Sequence, residues 1–201
     1  MKGQPGVGKS AVATNVAKHL LTLKQLGSDF FFQRQASEVM TPNALWRTVA
    51  YNLSLRYPSI RSMLVSTLKS GDISPTTPNI NALFYHLIHE PLIQSSDIPD
   101  GRLPIIVIDA LDECGGLDGP RSKHRRGLVR TLRTWSQLPK KFKLIVTSRD
   151  ESDIKELFSK TNHHRIDILA ERSPEDIQKL FTEQLREIAA GFELLPLDWP
   201  V

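Results

Sequence analysis

Gly3-Gln4-Pro5-Gly6-Val7-Gly8-Lys9-Ser10 opens the 201-residue chain and has the spacing G-x-x-x-x-G-K-[ST]. The residue types suit one task. Glycines let the backbone curl so that successive N–H groups face inward at phosphate oxygens. The helix that follows turns its N-terminus, and the positive end of its dipole, toward the same anion. Lys9 is placed to reach β- and γ-phosphates, the Ser10 hydroxyl to hold Mg²⁺, and Ala11 to continue the cradle into the helix. Such a loop ordinarily joins a buried parallel strand to a helix, which sets the expectation of an α/β sheet. Only Met1-Lys2 precede Gly3, so the reading expects an N-terminally truncated first strand. Loss of that strand would leave neighbouring strands with unpaired edges.

Working outward, strand-length and helix-length signals alternate. Ser10 to Lys24 reads as a helix, with Val12, Val16, Leu20 and Leu23 at helical spacing and Gly27 beyond its end. Asp29 to Gln33 holds the Phe30-Phe31-Phe32 run of a short buried strand. Thr41-Pro42 fits the cap and first position of a helix carrying Leu45, Trp46, Val49 and Leu53. Pro58 opens the next helix and Gly71 closes it. Asn79 to His89 is a further helix with Leu83, Phe84 and Leu87 inward, and Ser95 to Arg102 is a polar loop. Pro104–Asp109 and Lys143–Thr147 are apolar strands; Arg121–Ser136 and Asp150–Phe158 are helices between and after them. Arg165–Ile168 reads as a last strand, and Ser173-Pro174-Glu175-Asp176 opens a helix through Ile188. This alternation predicts a parallel sheet covered on both faces.

The strand Ile105-Ile106-Val107-Ile108 ends in Asp109-Ala110-Leu111-Asp112-Glu113. Ligand chemistry in open parallel sheets gathers at the carboxyl ends of strands. Asp109 is placed to hold Mg²⁺, and Asp112 or Glu113 to polarise an attacking water, Glu113 being the preferred choice. Leu144-Ile145-Val146-Thr147-Ser148-Arg149 repeats the pattern. Thr147 can sense the terminal phosphate or the water, and Arg149 can contact a phosphate; a strand-end arginine in a surface ion pair is the plainer alternative.

Composition bounds the rest. Forty per cent apolar and 24% charged residues describe an ordinary globular chain. The one cysteine, Cys114, rules out an intrachain disulfide framework, and the apolar runs are too short for a membrane span. No apolar signal segment follows Met1-Lys2, so an intracellular location is expected. The net charge of +4 is local in origin. Residues 119–149 carry ten Lys/Arg and no acid, while the remainder is acidic overall. That island reads as a solvated helix with basic flanks rather than the broad basic face of a nucleic-acid binder. His163-His164 read as a loop pair, Cys114 as a thiol raised by adjacent acids, Arg34 as a surface ion-pair partner with nucleotide contact as the alternative, and Trp46, Trp135 and Phe30–Phe32 as core or interface.

GQPGVGKS (Gly3–Ser10), DFFFQR (Asp29–Arg34), IIVIDALDEC (Ile105–Cys114) and KLIVTSRDE (Lys143–Glu151) together resemble a NACHT-type domain of the STAND class of P-loop NTPases. The resemblance is nearest to the nephrocystin-3-like N-terminal group of fungal multidomain proteins, and the tail ERSPEDIQKLF and the closing LPLDWP share it. It implies a three-layer P-loop fold with sheet order 5-1-4-3-2, over residues 1–190, followed at 191–201 by the start of a helical region. It also implies binding of ATP or ADP with Mg²⁺, weak hydrolysis, and a switch that oligomerises in the ATP state. Effector and repeat domains are the implied partners. Three readings stand open at this point: such a switch, a fast ATPase or small-molecule kinase, and a truncated fragment that binds no nucleotide.

Overall fold

The computed structural model describes residues 8–98, 104–139, 142–161, 163–164 and 166. Three strands, β1 (Leu26–Phe31), β2 (Ile105–Asp109) and β3 (Lys143–Val146), form an all-parallel sheet in the order β1-β2-β3. Leu26 aligns with Ile105 and Phe31 with Asp109, while Ile108 aligns with Val146, so all three carboxyl ends reach one edge of the fold. Of the five strands expected in the order 5-1-4-3-2, these three are seen. The strand expected ahead of Gly3 and most of the one at Arg165–Ile168 lie outside the described residues, as does the helix expected from Ser173.

The period-2 pleat divides β2 between two cores. Ile106 and Ile108 face the larger one, with Phe30, Phe32 and the helices α2 (Pro42–Arg56), α3 (Pro58–Ser70), α6 (Lys123–Trp135) and α7 (Ser152–Ser159). Val107 faces the smaller one, under α1 (Lys9–Thr22). Asp109 shares the parity of Val107 and so ends β2 on the α1 side.

Helix boundaries follow local chemistry. The Thr41 hydroxyl accepts the Ala44 N–H at 3.1 Å, with Pro42 in the first turn, and Leu45, Trp46, Val49 and Leu53 are buried as their spacing predicts. Gly71 ends α3 in the left-handed region at φ 80°. Trp46 stacks on Trp135 at 6.0 Å between ring centroids, and its Nε1 donates to Thr131 Oγ1 at 3.0 Å.

Three expectations are corrected. α1 buries Ala13, Ala17 and Leu20, while Val12 and Leu23 are exposed. Small side chains face the sheet because a helix can then lie close to it. β1 begins at Leu26 rather than Asp29 and contains Gly27, where a Cβ would stand 2.7 Å from Pro104 Cβ; the absent side chain lets β1 pass Pro104. The helix from Asn79 does not stop at His89. α4 (Ile80–Phe84) widens into a π-helical stretch at Tyr85–His89 and continues as α5 (Glu90–Gln94). Pro91, in α5's first turn, has no N–H to donate, and the wide turn lies directly upstream of it.

Candidate functional site

The carboxyl end of β2 is built around a backbone turn that side chains rarely permit. Ala110 sits in the left-handed region at φ 54° and ψ 48°, which costs a non-glycine residue about 1–2 kcal/mol. It turns the chain out of β2 into the 3₁₀ turn Leu111–Glu113, beside the end of β3. Thr147, fully buried just beyond β3, holds that turn. Its Oγ1 accepts the Ala110 N–H at 3.0 Å and its carbonyl accepts the Leu111 N–H at 3.0 Å. The same hydroxyl donates to Asp109 Oδ1.

The acids of the turn have different partners. Asp112 is 2% exposed; its Oδ1 accepts the Arg149 N–H at 2.8 Å and its Oδ2 pairs with Arg149 Nε at 3.2 Å. Glu113 is half-buried, and its Oε2 accepts the Arg34 N–H at 3.0 Å, tying the turn to the chain beyond β1. Arg34 Nε is buried with no hydrogen-bond partner among the described residues, in place of the surface ion pair expected for Arg34.

Gly8, Lys9, Ser10, Ala11, Ala110, Asp112, Glu113, Thr147 and Arg149 line one cleft of about 330 Å³. The fold therefore brings the start of α1 to the acidic strand end, as the two motifs imply. Gly8 caps α1 at φ 77°. Gly3, Gln4, Pro5, Gly6 and Val7 lie outside the described residues. Asp109 is not part of the lining: it is 3% exposed and engaged by Thr147. Burial lowers the pKa of the Lys9 ammonium below its ordinary value; Asp112, Asp109 and Glu113 oppose that shift and Arg149 reinforces it. The cleft thus sets an ammonium and a serine hydroxyl from the start of α1 beside two carboxylates from the end of β2. A larger concavity of about 400 Å³, between residues 78–81 and α6, presents Lys123, Arg126 and Arg130 without an acid or nucleophile in its lining.

Cys114 is fully buried, and burial raises its thiol pKa to about 12; Arg125 opposes the shift and Asp153 adds to it. Burial, more than the acids beside it in sequence, is thus the main cause. His163 and His164 are exposed, with His163 Nδ1 3.0 Å from the Thr161 carbonyl.

The solvated-helix reading of the basic island misses Arg125. This residue is 0% exposed and lies under the acidic turn. Its signal is positional, since 125, 128, 132 and 135 recur on one helical stripe and the other three are Leu128, Leu132 and Trp135. The left-handed Ala110 carries no sequence signal.

A family profile described as Nephrocystin 3, N-terminal, matches residues 1–149 and so spans every cleft residue. No curated protein and no solved structure matches the chain. Among the described residues no helix is long and apolar enough to cross a membrane.

Proposed function

The chain belongs to the nephrocystin 3 N-terminal family, and on that premise we propose that its cleft binds ATP and ADP with Mg²⁺. It then serves as a slow, nucleotide-gated switch of the NACHT type. The observation that carries this reading is the shared cleft: Lys9 and Ser10 from α1 face Asp112, Glu113, Thr147 and Arg149 from two strand ends. Lys9 binds the β- and γ-phosphates, with Gly3–Ala11 as the cradle around them. Ser10 would hold Mg²⁺ from the cleft and Asp109, which lies behind the lining, would hold it through water; the ion's charge, when bound, offsets that of the phosphate oxygens. Both oxygens of Asp112 are committed to Arg149, whereas Glu113 gives only Oε2 to the Arg34 N–H, which leaves its other oxygen to orient a water. Arg149 carries the cation that can move to a terminal phosphate. Oligomerisation in the ATP state, and effector and repeat partners, complete the proposal.

The test is thermal unfolding with and without Mg-ADP and Mg-ATP, on the parent chain and on Lys9→Ala. Ligand at about 100 times its Kd adds roughly 2.7 kcal/mol of apparent stability. The expected result is a shift in the parent that disappears in Lys9→Ala. A cooperative transition that neither nucleotide moves, or a shift that Lys9→Ala retains, overturns the reading. Steady turnover above about 1 s⁻¹ would favour a catalytic ATPase or kinase over a switch.

A further inference from the structure

Arg125 is the one buried cation among the described residues, and its guanidinium joins three parts of the fold. Nε and Nη2 donate to the two carboxylate oxygens of Asp153 at 2.7 and 2.8 Å. Nη2 also pairs with Glu151 Oε2 at 2.7 Å. Nη1 donates to the Asp112 backbone carbonyl at 2.8 Å. Asp112 is thereby held from two directions. Its carboxylate binds Arg149, and its carbonyl is linked through Arg125 to Glu151 and Asp153. The stretch 149–153 and the acidic turn close into a ring, with Arg125 at its centre.

We propose that Arg125 is a positioning residue for nucleotide, an inference that rests on the cleft reading above. It locks the backbone of Arg149 to the acidic turn. The Arg149 side chain can then leave Asp112 for a terminal phosphate while the chain beneath it stays in place. The chemistry favours arginine for this task. A planar fork satisfies a bidentate carboxylate and two further acceptors at fixed angles, which a lysine ammonium does not reproduce. Without the cation, Glu151 and Asp153 would face each other uncompensated at the start of α7, and their repulsion would open the stretch that carries Arg149.

A staple that merely holds the fold would affect ADP and ATP alike, whereas a residue that positions Arg149 acts on the terminal phosphate. The experiment is calorimetric titration of Mg-ADP and Mg-ATP into the parent chain, Arg125→Met, Arg149→Ala and the double variant. Asp153→Asn, which keeps Arg125 and weakens only the fork, stands in where Arg125→Met does not fold. Hydrogen exchange of the same proteins without nucleotide is measured in parallel. Arg125→Met and Asp153→Asn are expected to weaken Mg-ATP about tenfold and to leave Mg-ADP within about twofold. Adding either to Arg149→Ala is expected to cost nothing further. The Arg149 amide, which donates to Asp112, is expected to exchange faster while the β2 amides do not change. Equal losses for both nucleotides, or losses additive with Arg149→Ala, would overturn the proposal. A parent chain that binds neither nucleotide would overturn the cleft reading. In that case unchanged exchange at Arg149 removes the clamp as well, and faster exchange retains it.

Discussion

Replacing Thr147 by valine removes one hydroxyl and little else, and the structure sets the cost. The oxygen accepts the Ala110 N–H at 3.0 Å and donates to Asp109, at a site with no solvent exposure. An unpartnered buried amide costs about 1–3 kcal/mol, and a hydrogen bond to a charged group contributes about 1.5–3. The two losses share one atom and do not simply add, so the expected total is about 3 kcal/mol. Thr147→Ser keeps both hydrogen bonds and deletes a methyl, for about 1 kcal/mol. Urea unfolding followed by fluorescence of the buried Trp46 and Trp135 separates the two. With an m-value of about 2 kcal/mol/M, the valine variant should lose about 1.5 M in midpoint and the serine variant about 0.5 M. If serine costs as much as valine, methyl packing holds the strand end and the hydroxyl does not.

Ala110→Gly should relieve the left-handed strain and raise stability by up to about 1 kcal/mol in urea unfolding; a loss would mean that the alanine methyl is worth more than the strain. Gly27→Ala should cost about 1–3 kcal/mol, because its Cβ would meet Pro104 Cβ at 2.7 Å and Ile106 Cδ1 at 3.0 Å; a neutral result would show that β1 can move away from Pro104. For Cys114, burial pushes the thiol up to about 12 from an ordinary value near 9. Between those values the unfolded chain loses the proton first, so the thiol's contribution is intact below pH 9 and falls as pH rises, by about 1.4 kcal/mol per unit. The midpoint of the parent chain should therefore drop faster than that of Cys114→Ala from pH 9 to 11, and parallel curves would refute the burial argument.

The parts legible in the sequence are those whose cause is local. Thr41-Pro42 and Gly71 set helix ends through their own backbone chemistry, and the predicted boundaries stand. The cleft residues were legible for a related reason. One motif marks the start of a helix, two others mark strand ends, and a parallel sheet brings strand ends together. What failed depends on distance. Hydrophobicity alone nominates Val12 and Leu23 on α1, whereas the close approach to Val107 selects Ala13 and Ala17. Arg125 meets Asp153 across 28 residues, and nothing near either position announces the pairing.

Two choices at the end of β2 run against stability alone. Glycine would occupy position 110 without the left-handed strain, and an apolar side chain at 125, with matching changes at 151 and 153, would avoid burying an ion cluster. Replacing such clusters by packed apolar residues is often neutral or stabilising. Ala110 and Arg125 are 15 positions apart, yet both act on the turn Leu111–Glu113: Ala110 by setting its direction, Arg125 by holding the Asp112 carbonyl. Thr147 and Arg149 hold the same turn from β3. Leu111 and Asp112 are themselves buried, so part of this holding serves the core. On the cleft proposal, redundancy of this kind keeps the backbone in place when a charged ligand draws the Arg149 side chain away from Asp112. The acidic turn thus packs Leu111 into the core and, on the cleft proposal, presents Asp112 and Glu113 to the ligand.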